Sequence, residues 1–278
     1  MFSDASKRAS FLLLTVFVLL LVSDFLAPSG TDAFSLCLLQ LAFLLAPALF
    51  YGHVVRLERQ KSRLCGFSFR FLPFILSFTV AVTLGIGLIN YGLAFLFPKT
   101  SGMDTAVEYT LPELVLVIVL LPAVCEEILM RGMIFSEYET YGTAAACVAS
   151  AVAFAFIHAS ASNFIGPLVA GMAYAYLTYA CRSVFPAVLA HGVNNLFSVY
   201  APQIYRLLLN EDGAGYVLAL MVIAFLAALY LTLRQGEALY RAGHIAPFKK
   251  GKNAVQILLS PWLAATVAVW VIRIFTVQ

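Results

Sequence analysis

A chain of 278 residues with 62% hydrophobic and 11% charged residues lies far from soluble domains, in which about 25% of residues are charged. Its net charge of +3 says little by itself, but no basic run is long enough for nucleic acid, which is therefore not an expected partner. The mean hydropathy of +0.93 covers the whole length and predicts an all-α polytopic membrane protein that contacts lipid, because an open sheet would leave backbone groups unpaired in a bilayer.

Apolar segments follow one another along the chain, each near the roughly 20 residues that a helix needs to cross a bilayer. They run over 10–27, 33–53, 71–97, 111–135, 142–160, 163–181, 184–202, 214–233 and 254–276. We expect a bundle of eight or nine spans, since the first segment also resembles a cleavable signal peptide. An uncleaved signal anchor is favoured, because "SDFLAPSG" is a poor cleavage region.

The short gaps divide the chain into N-terminal helices (1–109), a central core (110–202) and C-terminal helices (203–278). With nine spans and a cytoplasmic N-terminus, 14 of the 17 lysines and arginines fall on the cytoplasmic side, and the exceptions are Lys99, Arg206 and Arg273. Cytoplasmic loops of membrane proteins carry such an excess. This orientation predicts a multi-pass protein of the plasma or inner membrane in a bacterium, or of the endoplasmic reticulum in a eukaryote.

Polar residues inside the apolar segments are concentrated in the central core. They are Glu126, Glu127 and Arg131 in the fourth segment, His158 after Phe154 in the fifth, and His191 and Asn195 in the seventh. A charge near the bilayer centre costs at least about 2.5–3.5 kcal/mol on insertion scales, so these residues indicate a functional site.

Helical spacing assigns different tasks to the two adjacent glutamates. Glu127 and Arg131 are four residues apart and share a helix face, whereas Glu126 diverges from Glu127 by about 100°. We therefore expect Glu127 to be held by Arg131 and Glu126 to face a cavity. Reflection about the turn near Gly142 places Glu126 and His158 within about 3 Å of the same depth. His191 lies closer to the predicted turn at Arg182 and reaches that depth only if its helix tilts or the turn is drawn inward.

These groups can perform amide hydrolysis. A buried carboxylate beside an imidazole, here Glu126 beside His158, can take a proton from water near neutral pH. His191 and Asn195 share a helix face, and their N–H groups can stabilise an oxyanion on a carbonyl oxygen. The pattern thus predicts a base with its water on one side and an oxyanion hole on the other.

A metal site is the alternative chemistry. Glu126, His158 and His191 match a catalytic zinc triad in residue type, but their spacing lacks the HExxH pattern. We expect no cofactor, with a divalent metal such as zinc as the alternative. The five cysteines show no CxxC spacing and predict neither a disulfide framework nor a zinc ribbon.

Three motifs in order, "EEILMRG" from Glu126, Phe154-x-x-x-His158 and His191-x-x-x-Asn195, resemble the CPBP family. This family contains the type II CAAX prenyl endopeptidases and the bacteriocin-processing or self-immunity proteins once grouped as Abi. The similarity covers about 110–202. It implies an α-helical intramembrane endopeptidase in which Glu126 and His158 activate water, while His191 and Asn195 form the oxyanion hole. Glu127, Arg131 and Phe154 would support the site.

Three functions remain open from the sequence. The leading hypothesis is an endopeptidase near the cytoplasmic half of the bilayer, acting on a peptide or protein, with prenylation of the substrate undecided. A non-catalytic immunity or binding protein of the same fold is the second. A transporter or proton relay is the third, although the chain shows no internal duplication of the kind common in transporters.

Overall fold

A computed structural model describes residues 4–26, 31–57, 59–96, 109–158, 164–210, 214–251 and 254–277. Regular structure in this part of the chain is entirely helical, with no strand, and the predicted all-α class is confirmed. The predicted loop residues Lys99 and Lys252 lie outside the described residues.

The helices follow the predicted apolar segments. They are α1 (Ala5–Leu26), α2 (Ala33–Val54), α3 (Phe69–Leu96), α4 (111–138), α5 (Thr143–Ile157), α6 (Ile165–Cys181), α7 (Phe185–Asn210), α8 (Ala214–Arg241) and α9 (Pro261–Val277). Short helices at Arg59–Ser62 and Val255–Leu258 join them. The last apolar segment was predicted to begin at residue 254, but α9 begins at Pro261, since proline suits the first turn of a helix.

Helix α4 is not regular along its length. An α-helical stretch, Leu121–Glu127, carries both glutamates and lies between π-helical stretches at Val115–Leu120 and Ile128–Phe135. Wider π turns occur mostly at functional sites, and they rotate the residues that follow them relative to a regular helix. The sequence periodicity gave no indication of these turns.

Membrane-spanning capacity differs among the helices. In the described part of the chain, Ala5–Leu26, Ala33–Val54, Phe69–Leu96 and Gly215–Arg241 are long and apolar enough to cross a bilayer. Thr143–Ile157, Ile165–Cys181 and Pro261–Phe275 are apolar but shorter. These helices fit an integral membrane protein, whereas the count of eight or nine spans stays a prediction.

Helix pairing surrounds the central core with the flanking helices. Helix α8 packs along α3, α5 packs against α6, and α7 contacts α3, α4 and α6. Helix α9 packs against α1, where Trp262 meets Phe11 edge to face, with ring centroids 5.3 Å apart. Trp270 of α9 stacks on Phe156 of α5 at 4.4 Å. The C-terminal helix is thereby joined to both the first helix and the core.

One end of the bundle collects ion pairs between basic residues and two glutamates that follow α4's π turn. Glu137 binds Arg8 at 2.8 Å and lies 3.7 Å from Lys61, while Glu139 binds Arg63 at 2.7 Å and lies 3.8 Å from Lys249. We call this the basic end. It contains the start of α1, the end of α4 and the segments before α3 and after α8.

The turn between α4 and α5 also lies at the basic end and depends on a glycine. Gly142 has φ +108°, a conformation that residues with a side chain rarely adopt. A Cβ added there would lie 2.8 Å from the backbone nitrogen of Gly251, so the segment after α8 packs directly on the turn.

Candidate active site

A cavity of about 290 Å³ lies among α3, α4, α5, α6 and α7. The residues predicted to be catalytic, Glu126, His158, His191 and Asn195, all line it. The structure therefore brings together side chains from three helices that sequence order alone kept apart. Their chemical roles are not tested by this convergence.

Glu127 and Arg131 form a fully buried ion pair beside the cavity. Arg131 Nη1 donates to Glu127 Oε1 at 3.0 Å, and Nη2 donates to the Gly171 carbonyl at 2.8 Å. Both side chains are 0% exposed, and the guanidinium lies 4.6 Å from the Phe154 ring centroid. The predicted pairing within α4 is present, and it extends to the backbone of α6.

Gly171 allows this contact by letting two helices approach closely. A Cβ at Gly171 would lie 2.8 Å from Ala151 Cα on α5, closer than real Cβ contacts come. The absent side chain therefore lets α5 and α6 pack together while the Gly171 carbonyl remains open to Arg131.

His191 is fixed by one carboxylate and two aromatic rings. Its Nδ1 donates to Glu127 Oε1 at 2.9 Å, since an ionised carboxylate can only accept. Tyr174 stacks on the imidazole at 5.2 Å with an interplanar angle of 19°, and Phe154 meets it edge to face at 5.4 Å. The ring therefore has a defined orientation, with Nε2 directed away from Glu127.

Glu126 faces His191 from α4. Its Oε2 lies 4.0 Å from His191 Nε2 and has no hydrogen-bond partner among the residues that the structure describes. Its side chain keeps 14% exposure, in contrast to the sealed Glu127. The expected division is therefore observed, with Glu127 held by Arg131 and Glu126 directed at the cavity.

His158 stands at the end of α5, where it is exposed. Its Nδ1 lies 2.9 Å from the Phe154 carbonyl, which can only accept, so Nδ1 carries a proton and the neutral ring presents Nε2 as an acceptor. Phe154 also meets this ring edge to face at 5.0 Å. Residues 159–163, which follow His158, lie outside the described part of the chain.

A residue far away in sequence holds the backbone next to His158. Arg273 of α9 donates from Nη1 to the Ile157 carbonyl at 2.6 Å, and from Nε and Nη2 to Asp24 of α1 at 2.5 and 2.9 Å. Sequence analysis placed Arg273 only as one of the few basic residues outside the cytoplasmic side. The structure makes it a support for the end of α5.

Asn195 lines the cavity with its amide only loosely engaged, because Nδ2 lies 3.4 Å from the Val119 carbonyl. Sequence reasoning missed several other lining residues: Asn90, Tyr174, Asn194 and Ser198. Asn90 could have been found, since it is an isolated amide within an otherwise apolar segment. Tyr174 carried no comparable signal, because aromatic residues are common in buried helices.

The donor set does not converge as a metal centre would. No group of three or more His, Cys, Asp or Glu side chains within the described ranges is placed to hold a metal ion. The alternative ligand set of Glu126, His158 and His191 therefore stays a prediction, and no catalytic step is assigned to a metal.

Comparison with known families adds independent information to this geometry. Residues 109–197 match the family model described as type II CAAX prenyl endopeptidase Rce1-like. The predicted family resemblance is confirmed. No curated protein and no solved structure shows a significant match to the chain.

The Rce1-like region begins just before α4 and ends two residues after Asn195. It includes every residue predicted for the site and leaves out Asp24, Asn90 and Arg273. The matched residues make up less than half of the chain, and the family model is described as that of a prenyl endopeptidase. It does not distinguish a glutamate mechanism from a metal-dependent one.

Proposed function

We propose that the chain is an intramembrane endopeptidase in which Glu126 activates a water molecule for attack on a peptide carbonyl. The supporting observation is the convergence of Glu126, His158, His191 and Asn195 on one cavity within an Rce1-like region. Glu126 lines a cavity of about 290 Å³ and has one oxygen without a hydrogen-bond partner in the described structure, and a carboxylate in such a position is suited to act as a general base.

The first step transfers one proton from water to Glu126. The water oxygen forms a bond to the carbonyl carbon as Glu126 takes the proton. His158 presents an acceptor Nε2 to the same cavity and orients the water, because its Nδ1 is occupied by the Phe154 carbonyl.

The second group of residues stabilises the charge that develops on the carbonyl oxygen. Asn195 can release its long contact with Val119 and donate its amide proton to the oxyanion. When both of its ring nitrogens carry a proton, His191 can donate from Nε2 to the oxyanion while Nδ1 stays bonded to Glu127. Collapse of the tetrahedral intermediate breaks the C–N bond, and Glu126 returns its proton to the leaving amine.

Arg131 and Glu127 contribute through His191. The Arg131 guanidinium donates to the Glu127 carboxylate, and the same carboxylate oxygen accepts from His191 Nδ1. Outer hydrogen bonds of this kind fix the tautomer and orientation of a catalytic imidazole. Phe154 and Tyr174 restrict the same ring by packing.

The decisive experiment compares Glu126→Gln with Glu113→Gln. Both glutamates lie on α4, but Glu113 closes a capping box with Thr110 at the exposed start of the helix. We expect Glu126→Gln to lose cleavage of a fluorogenic peptide library while keeping the thermal stability of the wild type. Glu113→Gln should cleave normally. Wild-type cleavage rates in purified Glu126→Gln would contradict the proposal.

Membrane proteomics would then identify the substrate. Protein termini that occur in cells with the wild type and disappear with Glu126→Gln mark the cleavage sites. Prenylated and unprenylated versions of one such peptide would establish whether the lipid contributes. A wild type that cleaves nothing but captures a protein partner would favour the non-catalytic binding function.

A further inference from the structure

The position of the cavity along its helices indicates from which side of the membrane it is reached. Helix α3 leaves the basic end at Leu72 and contributes Asn90, about 27 Å further along. Helix α5 leaves the same end at Thr143 and contributes His158, about 22 Å further. Both helices line the cavity in the half that lies away from the basic end.

The helices that run in the opposite direction agree. On α4, which reaches the basic end at its C-terminus, lining residues extend from Ile118 to Glu126. On α6, which ends at the turn beside Arg63, they extend from Gly166 to Tyr174. His191 is the lining residue of α7 nearest the basic end, and Ser198 and Val199 lie farther from it.

Packed side chains close the cavity on the side of the basic end. Arg131 and Phe135 on α4 and Leu177 and Thr178 on α6 are all 0% exposed, and they lie between the cavity and that end. At the opposite side, His158, Ser198 and Ile118 are exposed. Among the residues that the structure describes, the cavity therefore has a floor toward the basic end and a mouth away from it.

The distribution of basic residues indicates which end of the bundle lies at the cytoplasmic face of the membrane. The basic end carries Arg8, Lys61, Arg63 and Lys249, and an excess of lysine and arginine marks the cytoplasmic ends of helices. We infer that the mouth of the cavity opens toward the non-cytoplasmic side of the membrane, the reverse of an approach from the cytoplasm. This inference differs from the expectation of a site near the cytoplasmic half of the bilayer.

The lining restricts the substrate that enters by this route. Beyond Glu126 and the two histidines, the polar lining residues carry neutral amides and hydroxyls: Asn90, Tyr174, Asn194, Asn195 and Ser198. No lysine or arginine among the described residues lines the cavity. The Asn194 Oδ1 is buried and lacks a hydrogen-bond partner in the described structure. The substrate class is an extended, uncharged segment of an exported or membrane-anchored polypeptide. This substrate statement rests on the proposed peptidase function, whereas the statement about access does not.

Cysteine labelling in intact cells tests the sidedness. Cys125, Cys147 and Cys181 are buried, so replacing only the half-buried Cys37 and Cys65 by serine gives an unreactive background. The mouth is probed by Ser198→Cys on α7 and Ile118→Cys on α4, and the basic end by the exposed Lys250→Cys as the matched control. The reagent is a sulfonated, membrane-impermeant maleimide.

We expect Ser198→Cys and Ile118→Cys to label equally before and after permeabilisation, and Lys250→Cys to label only after it. Mouth cysteines that label only after permeabilisation, or in neither state, would overturn the inference. Labelling requires no cleavage, so its outcome is separate from that of Glu126→Gln. A mouth that labels from outside in a protein without peptidase activity would end the proposed function and leave the sidedness intact.

Discussion

Two buried arginines, Arg131 and Arg273, support the candidate site with the same kinds of hydrogen bond. They differ in how far away in the sequence their partners lie. Each bonds one carboxylate and one backbone carbonyl, and their exposures are 0% and 8%. Arg131 takes its carboxylate from its own helix, four residues away. Arg273 takes Asp24 from a helix 249 residues away and lies outside the Rce1-like region.

Because of this difference, the contacts of the two arginines form at different stages of folding. The Arg131 pair can form as soon as α4 folds, and it then joins α6 through Gly171. The Arg273 contacts form only when α1, α5 and α9 have come together. The Rce1-like region therefore contains the residues proposed to react, while the flanking helices fix the backbone next to His158.

The largest effect is expected from Arg131→Met. This change leaves Glu127 buried without its cation, and breaking a buried pair from one side costs about 3–5 kcal/mol. The free energy of unfolding, from denaturant titration in detergent micelles, should fall by this amount. The double variant Arg131→Met/Glu127→Leu removes both charges and should recover part of the loss. A double variant less stable than Arg131→Met would show that the charge is not the cause.

A smaller effect is expected from Arg273→Met, because its carboxylate partner is partly exposed. Hydrogen bonds to charged groups contribute about 1.5–3 kcal/mol to stability. Since Ile157 loses its donor, His158 should be displaced, and kcat should fall more than KM changes. Arg273→Lys should restore part of kcat. The control is Arg234→Met on the exposed face of α8, which should match the wild type; equal losses in both variants would remove the positioning role.

Gly171→Ala tests the link between Arg131 and α6. The added Cβ meets the backbone of α5 at 2.8 Å, and overpacking of this kind costs about 1–3 kcal/mol. The matched control is Gly192→Ala on α7, where the nearest atom to an added Cβ lies 4.0 Å away. Thermal unfolding should separate the two variants. Identical unfolding midpoints would mean that α5 and α6 can move apart without a loss of stability.

The smallest effect is expected at the basic end, outside the membrane spans. The Tyr141 hydroxyl donates to Asp4, and this hydrogen bond lowers the pKa of Asp4 below its ordinary value of 3.8. The lowered pKa stabilises the fold above pH 3.8 and ceases to do so as pH falls through the folded-state pKa. Wild type should therefore lose slightly more stability on acidification than Tyr141→Phe. Parallel pH profiles of the unfolding midpoint would contradict this.

The spacing of residues along the sequence was enough to predict the contacts within a single helix. The Glu127–Arg131 pair, the outward turn of Glu126 and the order of the helices followed from residues four apart and from apolar lengths. The stacking of Tyr174 on His191 and the reach of Arg273 could not be read in this way. Both depend on how helices cross, and crossing angles are set by side chains from every neighbouring helix at once.

His191 is a further example of a contact between helices that residue spacing could not predict. Its short distance from the predicted turn at Arg182 indicated that His191 would not reach the depth of Glu126 in the bilayer. It would reach that depth only if its helix tilted or the turn was drawn inward. In the structure its ring reaches both glutamates, 2.9 Å from Glu127 and 4.0 Å from Glu126. Helix α4 also departs from a regular α-helix on both sides of the two glutamates, and no sequence pattern indicated these π turns.

The two tryptophans of the chain give the C-terminal helix its own optical signal. Both belong to α9, and each contacts a phenylalanine of a different helix, Phe11 on α1 and Phe156 on α5. Selective excitation of indole emission therefore reports whether this helix is docked, without any added dye. Detachment of α9 during unfolding can be timed separately from melting of the core, with far-ultraviolet dichroism following the remaining helices.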